Sequence, residues 1–377
     1  MMSEPANATV YDSEIQFKEY SATAQDLLQA KKCNKTGFRL AREIWQLYLG
    51  PGGVGPNDYF MYQLYDDGKY SPQEKRRFIS DRLVNKVTAR CGDVRWDLLT
   101  DDKSICYSLL QQAGFPVPQT LAVVDNTIRS FGALRKIDSP AMLREFLTGL
   151  NAFPVFAKSN AGLGSFGAFM VSGVDGDHVL LEQSGPMTFD ELFERRIGKR
   201  TFLLQAFIQN DPVIAAFSKY LATVRVVNMV RPERVWTPFA LLKIPSEQSV
   251  ADNYWRSGNL LADVDVDTGV IRRVVRGKGV ALEELTEHPG TGQKLIGLGL
   301  PHWRELRELN EACARMFAPL RYHSLDVALT PEGPLIVEVN IGGSFVLPQI
   351  GSGKGLLNDE VLDFFRSCGC KFKVKLN

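Results

Sequence analysis

Two acidic residues and an asparagine stand close together near the end of the 377-residue chain. Asp326 precedes a Thr-Pro-Glu-Gly-Pro turn, and Glu338 and Asn340 follow it. The alternation of apolar residues on both sides of the turn predicts a β-hairpin. A register that is symmetric about Glu332 places Asp326 directly opposite Glu338. Because side chains alternate along a strand, Asn340 falls on the same face as the two acids.

Two opposed carboxylates repel each other at neutral pH, and a hard divalent cation relieves that repulsion. Asp, Glu and Asn supply the oxygen ligands that Mg²⁺ takes, so Asp326, Glu338 and Asn340 are candidate metal ligands. The same register pairs Leu329 with Leu335. It assigns these apolar residues to the core face: Val327, Leu329, Leu335, Val337 and Val339. The alternative is a solvated strand that carries its acids by chance.

A glycine-rich segment, Gly162-Leu-Gly164-Ser165-Phe-Gly167, lies between two strand-like segments. It matches G-x-G-x-x-G, but the dinucleotide-binding use of that motif requires a helix after the loop. We therefore predict a flap between antiparallel strands, whose backbone N–H groups can cover phosphates. Lys158 ends the preceding strand and can meet phosphate oxygens as a point charge. The alternatives are a hairpin without a ligand and a lysine that faces solvent.

Several other classes of site are excluded by the sequence. The chain has no G-x-x-x-x-G-K-[ST] segment, and neither H-R-D nor D-F-G occurs in a suitable position. A Walker A loop and a protein-kinase site are therefore ruled out. No Ser/His/Asp triad is apparent, because Ser344 lacks the glycine spacing of a nucleophile elbow.

The composition is that of an ordinary globular protein. Lys plus Arg (44) nearly balances Asp plus Glu (43), which argues against a nucleic-acid or anionic-membrane partner. No stretch approaches the roughly 18 apolar residues of a membrane span, and the N-terminus lacks the pattern of a secretory signal. The six cysteines form no C-x-x-C pair, which favours free thiols, although Cys368 and Cys370 are close enough to react or bind metal. We expect a reduced, cytoplasmic protein.

The elements that must position these residues can be outlined. A chain of this length predicts two or three domains or subdomains. Residues 1–100 are predicted to be helical and mixed, with one helix at 38–49 and another that opens at a capping box and spans 71–87. Asp101 or Asp102 caps the next helix.

Strands dominate from about residue 115 onward. The predicted strands are 154–159, 167–173, 178–183, 202–208, 222–230, 236–244 and 269–275. The predicted helices among them are 138–150, 188–198, 301–318 and 357–367. Strands interrupted by helices, with hairpins, favour an α+β architecture over a regular βαβ array.

From about Asp101 to Asn340 the chain resembles the sugar-transfer-associated branch of the ATP-grasp superfamily. The segments that carry the resemblance, in order, are 102–120, 222–227, 251–269, 288–292, 297–303 and 326–340. Gly258-Asn259 replaces the paired glycines of the branch, and Lys243 stands where an arginine is usual. These departures leave the substrate open.

The resemblance implies an ATP-grasp fold, in which two α+β subdomains grip ATP, with a helical N-terminal region. The implied division is 1–100 for that region, 101–204 for the subdomain with the flap and 205–377 for the subdomain with the metal-binding hairpin. Residues 1–100 could cap the cleft, bind the acceptor or mediate dimerisation, and the sequence favours none of these.

The resemblance also implies roles for individual residues. Those implied to contact ATP are Lys158, Gly162, Gly164, Ser165, Gly167, Gln205, Ala206 and Phe207. Asp326, Glu338 and Asn340 are implied to hold one or two Mg²⁺ ions. Lys158 and Arg225 are the implied catalytic residues, with Arg225 facing the acyl-phosphate or the acceptor. The alternative for Arg225 is a structural ion pair.

The function implied is that of an ADP-forming ligase that joins a small-molecule carboxylate to an amine or a related nucleophile, using ATP and Mg²⁺. The alternative is a phosphotransferase that acts on a sugar or another hydroxyl, with Asp263, Asp265 or His288 as its base. Structural or loop roles are nevertheless the preferred expectation for Asp263, Asp265 and His323, and the alternative for His288 is that it shapes a turn. A non-catalytic nucleotide-binding protein is a third possibility. A homodimer is compatible with all three.

Overall fold

The computed structural model of the protein describes residues 20–162, 167–182, 184–247 and 249–372. The first part of the chain is helical. Its helices are α1 (Ala24–Lys32), α2 (Gly37–Leu49), α3 (Pro56–Met61), α4 (Pro72–Lys75), α5 (Val84–Cys91), α6 (Asp97–Asp101) and α7 (Lys103–Gln112). Short 3-10 turns at Asp81–Leu83 and Val94–Trp96 precede α5 and α6.

A first seven-stranded sheet follows. Its elements are β1 (Thr120–Val124), β2 (Lys136–Ile137), α8 (Pro140–Thr148), β3 (Val155–Ser159), β4 (Phe169–Asp175), β5 (His178–Leu181), β6 (Gly185–Thr188), α9 (Phe189–Glu191), a π-helical segment (Leu192–Ile197) and β7 (Phe202–Ala206). The strand order is β2-β1-β7-β3-β4-β5-β6. Among the described residues, β1 and β2 pair in parallel and the other strand pairs of this sheet are antiparallel.

A second seven-stranded sheet is antiparallel throughout. Its elements are α10 (Pro212–Ala215), β8 (Thr223–Val230), β9 (Val235–Ile244), β10 (Leu260–Val264), β11 (Ile271–Arg276), a 3-10 turn (Gly279–Ala281), β12 (Glu283–Leu285), α11 (Trp303–Met316), β13 (Tyr322–Thr330), β14 (Gly333–Ile341), α12 (Val346–Ser352) and α13 (Asp359–Ser367). The strand order is β12-β11-β10-β9-β8-β13-β14. This content confirms the predicted α+β class.

The second sheet is covered on both faces. Alternate residues of β10 point to opposite sides: Leu260 and Ala262 pack in the core with α7 and α11, whereas Leu261 packs with residues of α2 and α3. The same alternation sends Val224 and Val226 of β8 to the first of these cores. The N-terminal helices therefore bury one face of this sheet. The finer division at 1–100, 101–204 and 205–377 stays a prediction.

The predicted helix over 71–87 is wrong. The capping box at Ser71 is present, but α4 ends at Lys75 and the next α-helix begins at Val84. The backbone between them bonds to distant segments instead: the Leu357 N–H donates to the Arg77 carbonyl oxygen at 2.8 Å. The Ile79 N–H likewise donates to the Gln349 side chain at 2.8 Å. Tertiary hydrogen bonds thus replace the helical ones.

The hairpin is present, but its register is not the predicted one throughout. Asp326 does pair with Glu338, as expected. Leu329, however, pairs with Pro334 instead of Leu335, and a bulge at Val337 absorbs the one-residue difference.

The bulge also changes which residues of β14 reach the core. Ile336 and Val339 are buried with Val327 and Leu329, whereas Leu335 and Val337 are only half-buried. The predicted core positions of Leu335 and Val337 are therefore wrong, and Val337 instead lines the cavity described below. One extra residue between Ile336 and Glu338 breaks the strict alternation that the prediction assumed.

Two further observations concern chemistry outside the sheets. In the part of the chain that the structure describes, no helix is long and apolar enough to cross a membrane. All six cysteines are thiols, and the Sγ atoms of Cys91 and Cys370 lie 4.0 Å apart.

Candidate active site

One face of β3 opens onto a cavity between the two sheets. Val155 and Ala157 point into the core of the first sheet, so Phe156 and Lys158 point the other way, into the cavity. Phe156 has Met170 of β4 as its neighbour on one side and Gln205 of β7 on the other. An apolar platform and a cation therefore lie in line along a single strand.

Lys158 is held at the bottom of the cavity by Tyr107. Its Nζ donates to the Tyr107 hydroxyl at 2.6 Å, and that hydroxyl donates to the Val337 carbonyl oxygen at 2.6 Å. Burial lowers the pKa of the Lys158 ammonium below its ordinary value, against the opposing pull of Glu338 and other acids. The lysine is thus a desolvated cation whose negative neighbours do not fully compensate for lost water.

The second sheet contributes a row of charges across three strands. Asp326 of β13 lies opposite Arg225 of β8 on one side and Glu338 of β14 on the other. Arg225 donates to Asp326 from Nε at 2.8 Å and from Nη2 at 2.7 Å. Lys243 Nζ lies 3.1 Å from Asp326 and 3.0 Å from Asp252. Arg225 is therefore engaged in the ion pair that the sequence offered as its alternative role, while it still faces a cavity.

The electrostatics of Asp326 are decided by these cations. Burial alone would raise the pKa of the Asp326 carboxyl, but the charges and hydrogen bonds of Arg225 and Lys243 hold it well below its usual range. The Asp326 carboxylate raises the pKa of Arg225 in turn, although burial of the guanidinium opposes this. Asp326 and Arg225 are consequently both ionised at physiological pH.

Gly162, the first residue of the predicted flap, and Lys103, the first residue of α7, lie beside Glu338. Lys103 Nζ lies 3.0 Å from Glu338 Oε1 and donates to the Gly162 carbonyl oxygen at 3.0 Å. Gly162 lines the cavity and has a φ of +102°, which glycine adopts without strain. Gly167 has a φ of +73°, and a Cβ there would lie 2.9 Å from Arg200 Nη1.

Two predicted flap residues, Gly164 and Ser165, lie outside the described residues. Three predicted adenine-side residues, Gln205, Ala206 and Phe207, all line the cavity. Gln205 is buried and its Nε2 donates to Thr120 at 3.3 Å, whereas Phe207 is partly exposed. The Ala206 N–H is already bonded to the Gln119 carbonyl oxygen at 3.0 Å.

The proposed metal ligands are neighbours. Asp326 and Glu338 are cross-strand partners, and Asn340 Nδ2 donates to Asp326 Oδ2 at 3.2 Å. This oxygen-rich set fits Mg²⁺ by donor type, with Arg225 and Lys243 contacting the same Asp326 carboxylate. Within the described ranges no group of three or more His, Cys, Asp or Glu side chains could hold a metal, so Asn340 is needed to complete a three-residue set.

The other candidate residues lie elsewhere. Asp263 and Asp265 both pair with Arg272, each at 3.0 Å. His288 packs against Phe217, with ring centroids 6.2 Å apart. His323 is fully buried, and its Nδ1 lies 2.6 Å from the Leu320 carbonyl oxygen.

Several residues of the site were not singled out from sequence. Among them are Lys103, Tyr107, Lys243, Asp252 and the apolar pair Phe156 and Met170. Lys103 and Tyr107 lie one turn apart on α7, and this spacing is the one local signal that could have placed them on a common face. Lys243 was noted only as a departure from the resemblance. Asp252, which accepts a hydrogen bond from the Thr223 hydroxyl, has no local signal.

The chain is similar to one protein family and to several solved structures. The family model for sugar-transfer associated ATP-grasp proteins matches residues 82–362. Among solved structures, D-alanine–D-alanine ligase from Helicobacter pylori is 11% identical, with 74% of this chain and 61% of that chain covered and a TM-score of 0.40. VanG D-Ala:D-Ser ligase from Enterococcus faecalis is 13% identical, with 73% and 64% covered and a TM-score of 0.39.

N5-carboxyaminoimidazole ribonucleotide synthetase from Thermotoga maritima is 12% identical, with 71% of this chain and 49% of that chain covered and a TM-score of 0.34. The chain thus spans less than two thirds of the length of each of these three structures. A search of curated proteins found no match. Because the family model covers most of the chain, including both sheets and the site between them, the protein has the ATP-grasp fold and belongs to the sugar-transfer associated ATP-grasp family.

Proposed function

We propose that the protein is an ADP-forming ligase that joins a carboxylate to an amine through an acyl-phosphate. One observation carries the proposal: Lys158 of the first sheet and the Asp326–Glu338 pair of the second line the same cavity. Phosphoryl transfer needs cations and a metal clamp around the phosphates, and residues of the types that could supply both line this cavity in a protein of an ATP-grasp family.

The parts of the cavity suit the parts of ATP. Phe156 and Met170 offer an apolar surface for the base. Lys158 and Lys103 provide positive charge for the phosphates. Asp326, Glu338 and Asn340 would hold Mg²⁺, which when bound neutralises charge on phosphate oxygens.

The reaction has two displacements. In the first, a substrate carboxylate oxygen bonds to the γ-phosphorus while the bond to the bridging oxygen of ADP breaks. In the second, the amine nitrogen bonds to the acyl carbon, inorganic phosphate leaves and the nitrogen loses a proton. Arg225 and Lys243 stabilise the negative charge of the carboxylate and the acyl-phosphate. Positioning and charge suffice for this chemistry, so no nucleophilic side chain is required.

A phosphotransferase would use the same nucleotide cavity but needs a base near the acceptor hydroxyl. None of the three bases considered from sequence, Asp263, Asp265 and His288, lines the nucleotide cavity in the described part of the chain. This placement favours the ligase.

The test is ADP release from Mg-ATP in the presence of panels of carboxylates, with amines or hydroxylamine as the nucleophile. Mass spectrometry then identifies the product. A ligase gives an amide, or a hydroxamate with hydroxylamine, together with free phosphate. A stable phosphorylated acceptor would contradict the ligase and support the phosphotransferase. Glu338→Gln serves as the inactive control for contaminating ATPases.

A further inference from the structure

A second cavity lies beside the nucleotide cavity and shares part of its lining. The residues that line both are Asp252, Asp326 and Glu338, and the second cavity adds Arg225 and Lys243. The charge row of the second sheet therefore forms the boundary between the two spaces. A molecule in the second cavity would lie next to the phosphates of a nucleotide in the first.

One wall of this second cavity comes from the N-terminal region, between residues 81 and 101. That wall is fixed to the second sheet by backbone contacts. The Asp93 N–H donates to the Pro319 carbonyl oxygen at 3.1 Å, and Gly92 forms a bridge with Leu320. The chain at Gly342 passes so close to Thr88 that a Cβ there would lie 2.9 Å from Thr88 Oγ1. These contacts fix the position of the wall relative to the cavity.

The outer part of this cavity is apolar. Val94 and Leu98 line it with exposed fractions of 75% and 64%, and Ile341 of the edge strand β14 is 38% exposed. These side chains face water unless a ligand covers them, and covering apolar surface is favourable by about 25 cal/mol per Å². The charged residues that the N-terminal wall adds to the lining are all acidic, namely Asp81, Asp97 and Asp101. Such a wall disfavours an anionic ligand.

We propose that the second cavity binds the amine substrate, and that this substrate is a primary amine on an extended apolar body without an anionic group. The inference rests on the proposed ligase function. The amine reaches the Arg225–Asp326 end, where the acyl-phosphate forms, and the apolar body lies against Val94, Leu98 and Ile341. Residues 81–101 then determine which acceptor is used, which assigns a role to the N-terminal region.

The test uses three probes: ethylamine, hexylamine and 6-aminohexanoate. Calorimetry measures their affinities for the full-length protein with Mg²⁺ and a non-hydrolysable ATP analogue, and again without nucleotide. Because apolar contacts of this kind discriminate by about tenfold or more, hexylamine should bind at least about tenfold more tightly than ethylamine. Hexylamine should also bind more tightly than 6-aminohexanoate, by a similar factor. Equal affinities for the three probes would overturn the proposal.

Two variants test where on the protein hexylamine binds. Leu98→Asn should weaken hexylamine about fivefold or more through lost apolar contact, with the affinities for ethylamine and the ATP analogue unchanged. Ile128→Asn is the matched control, because Ile128 is fully exposed and lies outside the cavity. An unchanged hexylamine affinity in Leu98→Asn contradicts the proposal. Failure of the ATP analogue to bind contradicts the nucleotide site instead, and the titrations without nucleotide still decide the amine question.

Discussion

Arg225 and Asp326 face each other across adjacent strands and are joined by two hydrogen bonds, from Nε to Oδ1 at 2.8 Å and from Nη2 to Oδ2 at 2.7 Å. Asp326 is buried, the Arg225 side chain is 16% exposed, and Lys243 contacts the same carboxylate. Asp326, a proposed metal ligand, therefore also stabilises the fold through its ion pairs.

Asp326→Asn should therefore destabilise the protein as well as inactivate it. Removing one partner of a buried ion pair leaves an uncompensated charge and costs about 3–5 kcal/mol in the free energy of unfolding. We expect the lower end of that range, because Lys243 keeps Asp252 as a partner. Urea unfolding measures the loss. Asp267→Asn, which removes the acid of an exposed pair with Arg307, is the control and should change little.

The pH dependence of that loss has a definite sign. The folded-state pKa of Asp326 lies below its ordinary value, so its stabilising contribution is present above an unfolded pKa of about 3.9 and fades as the pH falls towards the folded value. The difference between wild type and Asp326→Asn should hold constant across neutral pH and shrink only in strong acid. A difference that shrinks near neutrality would contradict this assignment.

Glu338→Gln should lower the catalytic rate strongly, beyond any effect on stability. The substitution keeps the size of the side chain but removes the charge that faces Lys103 and contributes to the proposed metal set. Loss of an electrostatic group at a phosphoryl-transfer site lowers the rate by about a hundredfold or more. Steady-state ADP release measures the effect. Glu332→Gln, at the turn of the same hairpin, should retain wild-type rates; equal losses in both variants would point to the hairpin fold instead.

The hairpin of β13 and β14 shows which structural features local sequence predicts and which it does not. Alternation and turn chemistry correctly predict that Asp326 faces Glu338, because both signals are local. They cannot reveal the bulge at Val337, whose carbonyl is bound by the hydroxyl of Tyr107, a residue 230 positions away. Strands β3 and β8 are likewise predictable from their patterns, whereas the placement of Lys158 of β3 in one cavity with Asp326 of the second sheet is not.

The same limit explains the missed cations. Lys103 pairs with Glu338 and Lys243 with Asp326, and these partners are remote in sequence. A lysine that is buried beside an acid remote in sequence can have the same local sequence as an exposed lysine. The placement of residues 81–101 against the site also depends on backbone contacts with β13 and its neighbours, and no periodicity encodes those.

His323 should reduce stability in weak acid. Burial lowers its pKa to about 4 from 6.5, so the unfolded chain binds a proton between these values when the folded protein does not. Stability therefore rises with pH across that window and is complete above it, by about 3 kcal/mol in total. The free energies of unfolding of wild type and His323→Gln, measured with urea across the window, should differ in their pH dependence by one proton. Parallel curves would show that the pKa of His323 is the same in the folded and unfolded states.

Lys158 should make nucleotide affinity depend on pH. In the free protein burial lowers its pKa, whereas triphosphate oxygens beside the ammonium would raise it. Binding then favours the protonated lysine, so the affinity for the Mg–nucleotide analogue is constant at lower pH and falls as the pH rises through the free-state pKa. The limiting slope is about tenfold per pH unit for a single proton.

Calorimetric titrations of wild type, Lys158→Met and Lys219→Met from neutral to alkaline pH test this. Lys158→Met should bind about 10- to 100-fold more weakly, as expected for loss of a charged hydrogen bond, and its affinity should not fall with pH in that range. Lys219 is the matched control because its ammonium is exposed and pairs with Glu182. Its variant should reproduce the wild-type profile. If Lys158→Met retains the pH dependence, the titrating group is another residue, and the phosphate role of Lys158 must be abandoned.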